Sequence, residues 1–200
     1  LGELTSYRPI ALTSMLVNIF KTMWLQRLVP VIDKHLSHCQ GGFRVGSGVK
    51  EQLWALLEFM EEGETEDSER IFCTTDVHKA FDQVYRNGTI YLLYGMGVRG
   101  KMLHMLDQWI SRNYAVQKWR GHMGDRVELT ANGLRQGCTL SPLLYLVVIN
   151  ALVSKEPEVD MPIWDEGYRR VAYSSGVQNL EGLNLGEWMV YLFCDDTAFV

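Results

Sequence analysis

Val190-Tyr-Leu-Phe-Cys-Asp-Asp-Thr-Ala-Phe-Val200 sets the architecture of this chain, because it places two acids between two short apolar runs. The apolar runs predict two β-strands, and Asp195 and Asp196 predict the turn that joins them. Aspartate favours turns for conformational reasons alone. Ionised acids in apolar surroundings are disfavoured by desolvation and mutual repulsion, and a divalent cation offsets both effects. The pattern therefore fits either an ordinary turn or a site for Mg²⁺, which binds carboxylate oxygens.

A second short run, Ile71-Phe-Cys-Thr-Thr-Asp76, also predicts a β-strand that ends in a carboxylate. If this strand lies beside the strands around Asp195, then Asp76 adds a third acid at the same place. Two metal ions held about 3.5–4 Å apart by such acids would activate an attacking oxygen and stabilise the leaving oxygen in phosphoryl transfer. The spacing along the sequence does not by itself establish this arrangement.

Apolar residues at steps of three and four predict helices elsewhere in the chain. The stripe over residues 16–28 predicts a helix that Pro30 should interrupt or kink. A second stripe, over 53–60, predicts another helix. The acidic segment 61–69 that follows has no apolar face and is expected to be a surface loop. A third helix is expected over 102–110.

The second half of the chain adds a hairpin and a buried helix. Residues 114–119 and 126–130 predict the two strands, and Gly121-His-Met-Gly124 predicts their turn. Ser141-Pro142 predicts a helix start, with Ser141 as the N-cap and proline in the first helical position, and residues 143–153 then supply a buried helix. Helices mixed with antiparallel strands indicate an α+β domain.

Composition and charge exclude little. The 200 residues are 47% hydrophobic and 22% charged, which is typical of a globular chain, and no apolar run approaches the roughly 20 residues of a membrane span. The formal charge of −5 would argue against a nucleic-acid partner, but eight acids lie within 51–69, and residues 99–135 hold seven Lys or Arg against three acids. The four cysteines form no Cys-x-x-Cys pair, so a reducing, intracellular setting is expected.

Five motifs, in order, resemble those of reverse transcriptases of the non-LTR retrotransposon kind. Two lie in the first quarter of the chain and resemble fingers motifs, and the others resemble the first catalytic box, the box that faces the template and nucleotide, and the aromatic-x-Asp-Asp box. They are Tyr7-Arg-Pro-Ile-Ala-Leu12, Gln40-Gly-Gly-Phe-Arg44, Thr75-Asp-Val-His-Lys-Ala-Phe-Asp82, Gly133-Leu-Arg-Gln-Gly-Cys-Thr-Leu-Ser-Pro142 and Phe193-Cys-Asp-Asp196.

The resemblance implies a right-hand polymerase architecture, with an antiparallel palm sheet packed on helices. Residues 1–70 would be the fingers region, and residues 71–200 the palm region, ending after the Phe-Cys-Asp-Asp hairpin and without a thumb. Residues 155–187 carry mostly loop signals, and the interval 154–186 is expected to be longer than in many relatives. Phe193 and Cys194 stand where the family most often has Tyr and Ala.

The same resemblance implies the chemistry: attack of a primer 3′ hydroxyl on the α-phosphate of a deoxynucleotide, with two Mg²⁺. Asp76 and Asp195 match the metal ligands of the family, Asp196 is the adjacent acid, and the Val77 carbonyl is the expected backbone ligand. The expected partners are an RNA template, a DNA primer and deoxynucleotide triphosphates. No association with a membrane is expected. The protein is expected to be nuclear during retrotransposition.

Four further residues match substrate-binding positions of the family. Phe81 matches the steric gate against a ribose 2′ hydroxyl, and the alternative is core packing. Arg44 matches the arginine that grips the triphosphate, and its forked donors suit phosphate. Gln136 and Gly137 match the segment that contacts the nucleotide sugar and the templating base. The alternative is that Gln136 and Gly137 are only part of a loop before a helix.

Three other functions remain open at this stage. A group II intron type of reverse transcriptase is a close neighbour of the favoured one. A non-catalytic relic would keep the fold and bind nucleic acid weakly or not at all. An unrelated metal-dependent phosphohydrolase would explain the carboxylates but not Arg44, Phe81 and Gln136.

Overall fold

The structure, a computed structural model, describes residues 10–38, 40–65, 73–111, 114–129, 132–151, 190–193 and 196–199. Within them the chain forms, in order, α1 (Met15–Ile32), a 3-10 helix (Asp33–His35), α2 (Val49–Thr65), β1 (Cys73–Asp76), α3 (Ala80–Gln83), α4 (Arg86–Gly95), α5 (Gly100–Ser111), β2 (Tyr114–Trp119), β3 (His122–Glu128), α6 (Ser141–Asn150), β4 (Val190–Phe193) and β5 (Asp196–Phe199).

The strands form two antiparallel sheets, so the predicted mixture of helices and antiparallel strands is confirmed. One sheet has the order β1-β5-β4, and the other is the β2–β3 hairpin. In the first sheet the predicted strand pair is present, with Phe193 opposite Asp196 at its closed end. Asp196 is the first residue of β5 and not part of the turn that was expected to hold it.

The hydrophobic core forms around α6, which is buried on nearly every side. Leu144, Leu146 and Val147 are at most 1% exposed, because α1, α4 and the segment before α6 surround them. A helix that is apolar all round is stable only in such a central position. The second half of α1, the helices α4 and α5, and residues of the segments that connect the helices supply the rest of the core.

Pro30 lies inside α1 without interrupting it, so the expected interruption is wrong. Proline removes one main-chain hydrogen bond and crowds the preceding turn. Here Leu28 and Ile32, on either side of it, are 2% and 0% exposed. Their burial keeps the last turn helical, and the helix ends at Asp33, whose N–H donates to the Val29 carbonyl.

Two apolar helix faces are exposed among the described residues. The large hydrophobic side chains exposed on α1 and α2 are Met15, Leu16, Val17, Ile19, Phe20, Met23, Val31, Val49, Leu53, Trp54, Leu57 and Met60. Periodicity therefore predicted both helices correctly, but the buried residues of α1 are only Lys21, Leu28 and Ile32. The acidic segment is also partly helical, because α2 continues to Thr65. Glutamate is a good helix former and needs no buried face for this.

The hairpin turn is shorter than predicted. Arg120 and Gly121 form it, with φ angles of 47° and 87°, which match the two positive values of a type I′ turn. His122 to Gly124 therefore belong to β3. A register shift between Val116 and Lys118 inserts an extra residue in β3, and this β-bulge accommodates a glycine inside a strand.

Two helix predictions need correction. The helix α4 was not predicted, because Asn87 and Gly88 in its first turn resemble loop residues. Ser141 is the first residue of α6 and not its N-cap, and its hydroxyl donates to the Arg135 carbonyl. The helix ends at Asn150, whose side chain binds the main chain at His35 and Ser37. Residues 152–189, which include the expected loop over 155–187, lie outside the described residues.

Candidate active site

The pairing of β1 with β5 determines where the acids lie. Asp76 ends β1 and is the register partner of Asp196, which begins β5. Register partners on adjacent antiparallel strands have Cα atoms about 4.5–5.5 Å apart and point to the same face. The Asp76 side chain is exposed. Asp195, the other predicted metal ligand, lies outside the described residues.

A sharp turn after Asp76 leads the chain into the core. Val77 is half-buried against the core, and Lys79 adopts the left-handed conformation with a φ of 52°. Non-glycine residues rarely adopt this conformation, and it is stabilised here because the Lys79 carbonyl accepts hydrogen bonds from Asp82 and Gln83. Lys79 is the N-cap of α3, so Phe81 lies in the first turn of this helix.

Phe81 has both a packed and an open side. It is half-buried, and its ring stacks on that of Tyr145 in α6, with centroids 4.9 Å apart and an interplanar angle of 24°. The Phe81 carbonyl also accepts a hydrogen bond from the Leu134 N–H at 2.7 Å. The predicted gate residue is therefore anchored on α6 and on the segment that contains Gln136 and Gly137.

The loop of residues 133–137 is held at several points. The Gly133 N–H donates to the Val84 carbonyl at 2.7 Å, and the Gly133 carbonyl accepts from Arg86 Nε at 2.7 Å. At the other end, the Arg135 carbonyl accepts from the Ser141 hydroxyl at 2.8 Å. The loop is thus tied to the segment after α3, to α4 and to α6.

Gln136 and Gly137 also contact the N-terminal segment. The Gln136 carbonyl accepts a hydrogen bond from the Ala11 N–H at 2.8 Å. Gly137 has a φ of 88°, and a Cβ atom placed on it would lie 3.1 Å from the Ala11 carbonyl oxygen. Glycine is required here both for the left-handed conformation and for the close approach. The structure therefore brings Phe81, Gln136 and Gly137 into one connected unit.

Arg44 has a different environment. Its Nε donates to Asp33 Oδ1 at 2.9 Å, and its Nη1 donates to the carbonyls of Ser37 and Gln40 at 2.7 and 3.4 Å. These contacts brace the glycine-rich loop before α2. The predicted triphosphate contact would require the guanidinium to share or leave these partners.

Positive charge accumulates around the 133–137 loop. Arg86 is 4% exposed, and burial together with the nearby charge of Arg135 lowers its pKa. Burial also lowers the pKa of Arg135, while Cys138 acts in the opposite direction. Such a site favours an anionic ligand or neighbour, because an added negative charge would stabilise both guanidinium groups.

Sequence reasoning missed three side chains that hold this region, namely Lys21, Arg86 and Trp109. None of the three belongs to a motif or to a repeating pattern in its helix. A lone lysine between Phe20 and Met23 was the one available signal for a buried cation, and it resembles a solvated position equally well.

Comparison with known proteins decides the family. The sequence profile described as Reverse transcriptase (RNA-dependent DNA polymerase) matches residues 2–200. The chain belongs to the reverse transcriptase family. The five motifs that resemble this family lie within the matched region.

The curated relatives of this reverse transcriptase chain come from mobile elements. The RNA-directed DNA polymerase from mobile element jockey is 27% identical over 79% of this chain in Drosophila melanogaster and 24% identical over 98% in Drosophila funebris. The Pol polyprotein from type-1 retrotransposable element R2 of Nasonia vitripennis is 28% identical over 76%. The chain spans 18%, 19% and 14% of these relatives, respectively.

A solved structure shares the fold of this reverse transcriptase chain. Telomerase from Candida tropicalis, determined in complex with a fragment of telomeric RNA, superposes with a TM-score of 0.54 and 12% identity. The match covers 92% of this chain and 28% of the telomerase chain. At this identity the likeness concerns the fold alone.

No group of three or more His, Cys, Asp or Glu residues that could hold a metal occurs within the described part of this reverse transcriptase chain. The acids brought together there are Asp76 and, by backbone register, Asp196. In the same part of the chain, no helix is long and apolar enough to cross a membrane.

Proposed function

We propose that this chain is the fingers and palm part of an RNA-directed DNA polymerase from a non-LTR retrotransposon. It would add deoxynucleotides to a primer 3′ hydroxyl on an RNA template. The observation that carries this proposal is the register of Asp76 opposite Asp196. Two acids that are 120 positions apart in the sequence meet across one strand pair, as a catalytic carboxylate site requires.

A divalent metal fits the donors at this position. Asp76 is exposed at the end of β1, and carboxylate oxygens are the ligands that Mg²⁺ prefers. Asp76, Asp195 and the Val77 carbonyl would hold two Mg²⁺, with Asp196 beside them. When bound, the ions would neutralise charge on the phosphates and activate the attacking hydroxyl.

The residues of the chain would contribute positioning, which supplies much of the catalysis in phosphoryl transfer. Phe81 would occupy the space of a ribose 2′ hydroxyl, and its stacking on Tyr145 would hold the ring in place. Gln136 and Gly137 would contact the nucleotide and the templating base. Arg44 would bind the triphosphate after an exchange of partners from Asp33.

The remaining parts of the proposal concern the whole protein. Residues 1–70 would form the fingers and residues 71–200 the palm of a right-hand polymerase. Integration into chromosomal DNA would place the protein in the nucleus during retrotransposition.

Primer extension by the full open reading frame that encodes this chain tests the proposal. The assay uses an RNA template, a DNA primer, deoxynucleotides and Mg²⁺. Asp195→Asn is compared with Asp125→Asn, an exposed acid on β3 that serves as the matched control. We expect extension by the unaltered protein and by the control, and none by Asp195→Asn.

Two results would contradict the proposal. Extension that survives Asp195→Asn would remove this acid from catalysis. A folded, unaltered protein that extends no primer would leave the non-catalytic relic as the better description.

A further inference from the structure

Lys21 is a buried lysine whose contacts with other described residues are with neutral groups. It lies on α1, its side chain is 1% exposed, and among the described residues no carboxylate lies within ion-pair distance of it. Its Nζ donates to Thr13 Oγ1 at 3.1 Å and approaches Asn18 Oδ1 at 3.5 Å. Burying an ammonium group is costly unless its hydrogen bonds are supplied locally. The position of Lys21 is therefore coupled to these two polar side chains.

The bonds around Lys21 fix the N-terminal strap, defined here as residues 10–14. The Thr13 hydroxyl accepts from Lys21 and donates to Asn18 Oδ1 at 2.5 Å, which closes a triangle of three side chains. Ser14 caps α1 by accepting from the Val17 N–H. The strap thus leaves the helix in one defined direction.

The strap then contacts the 133–137 loop. Ala11 donates its N–H to the Gln136 carbonyl, and Gly137 lies so close that an added Cβ would be 3.1 Å from the Ala11 carbonyl oxygen and 3.3 Å from Ile10 Cγ2. These contacts involve the two loop residues proposed to meet the nucleotide. A shift of the strap would therefore disturb both loop residues.

Trp109 on α5 adds a second connection. Lys21 Nζ lies 5.5 Å from the centroid of its ring, and Arg135 Cζ lies 5.6 Å from the same centroid. Cations within about 6 Å of an indole ring are attracted to it. One aromatic ring therefore contacts both the lysine that fixes the strap and the arginine beside Gln136.

We propose that Lys21 is a positioning residue for the 133–137 loop. It fixes the strap through Thr13, and the strap holds Gln136 and Gly137 in place through Ala11. The kinetic consequence rests on the proposed function, since it assumes that this loop contacts the incoming nucleotide. The mechanical coupling between the strap and the loop does not depend on that assumption.

Two variants break the network and one preserves it. Lys21→Met keeps the length of the side chain and removes its charge and donors. Thr13→Val removes the hydroxyl, whereas Thr13→Ser retains it. The matched controls are Lys101→Met, an exposed lysine on α5, and Thr22→Val, an exposed threonine on α1 whose hydroxyl donates to the Asn18 carbonyl.

Hydrogen exchange measured by mass spectrometry on the full-length protein tests the coupling between the strap and the loop, and it does not require enzymatic activity. We expect Lys21→Met and Thr13→Val to accelerate exchange about tenfold in peptides covering both the strap and residues 133–138. Thr13→Ser and the two controls should match the unaltered protein. Faster exchange in the strap with an unchanged loop would overturn the proposal.

Primer extension reads the consequence for the substrate. We expect the KM for deoxynucleotide to rise about tenfold in Lys21→Met and Thr13→Val, with kcat changed less, and to recover in Thr13→Ser. An unchanged KM in a folded, less stable variant would mean that Lys21 is only structural. If Lys21→Met does not fold, the Thr13 pair decides. If the unaltered protein extends no primer, the proposed function is wrong. The coupling between the strap and the loop is then tested by hydrogen exchange alone.

Discussion

Asp76 lies directly opposite Asp196 in the register of the β1–β5 strand pair. β1 follows a helix from the first third of the chain, and β5 lies at its far end. The pairing makes one end of the sheet acidic, and it leaves the Asp76 carboxylate exposed to ligands.

Asp76→Asn should abolish primer extension while preserving the fold. The substitution removes one charge from an exposed side chain, so the free energy of unfolding should change by no more than about 0.5 kcal/mol. Loss of a ligand for the phosphoryl-transfer centre should lower kcat by about 100-fold or more. Single-turnover extension and thermal unfolding of Asp76→Asn and of the control Asp125→Asn measure both effects. Comparable extension by the two variants would exclude a catalytic role for Asp76.

Phe81→Val should raise the incorporation of ribonucleotides relative to deoxynucleotides. The ring stacks on Tyr145 at 4.9 Å, so its loss should also destabilise the protein by about 1–3 kcal/mol. Competitive incorporation and thermal unfolding separate the two effects. Phe81→Tyr, which keeps the ring, is the control and should keep the original ratio. A constant ratio in a destabilised Phe81→Val protein would show that the residue only packs.

Arg44 should act on stability mainly through its bonds to the main chain. The side chain of Asp33 is 49% exposed, and ion pairs with such exposure contribute about 0–1 kcal/mol. Arg44→Ala should cost more, about 1–3 kcal/mol, because the Ser37 carbonyl loses a charged donor. A double-mutant cycle with Asp33→Asn measures the coupling between the two side chains. A coupling energy above about 2 kcal/mol would show that the ion pair dominates.

Gly133→Ala should destabilise the protein more than Gly97→Ala. Both glycines have a left-handed backbone, with φ of 91° and 92°, so both substitutions carry the conformational cost of about 1–2 kcal/mol. A Cβ on Gly133 would also lie 3.2 Å from the Asp82 carbonyl oxygen, whereas nothing lies within 4 Å at Gly97. Denaturant unfolding of the two variants isolates the effect of the contact. Equal losses in the free energy of unfolding would mean that the segment around Asp82 shifts to accommodate the added Cβ without destabilising the protein.

Local sequence patterns predicted the secondary structure near the site well. The apolar run that ends at Asp76 forms β1, and the two runs that flank Asp195 and Asp196 form β4 and β5. These were predictable because alternation and turn residues act over a few positions. The same patterns wrongly predicted an interruption at Pro30 and missed helix α4, where burial overrode propensity. They also placed the turn of the β2–β3 hairpin too late, because the bulge in β3 depends on its pairing with β2.

Long-range contacts at the site were not predictable in this way. Arg44 bonds to Asp33 and to the Ser37 carbonyl, and no sequence pattern indicated these contacts. Its expected contact with a triphosphate stays a prediction. Lys21 reaches Trp109 across 88 positions of sequence. Such pairs leave no periodic signal, because each depends on how two separate helices pack.

The amino-acid sequence alone determined the family motifs, the acids and the elements that carry them, since these depend on residue type and on neighbours a few positions away. Tertiary structure alone decided that Asp76 meets Asp196 and that the strap at Ala11 touches Gln136 and Gly137. The physical reason is that strand register and helix packing depend on pairing and burial between distant parts of the chain, which no short stretch of sequence contains.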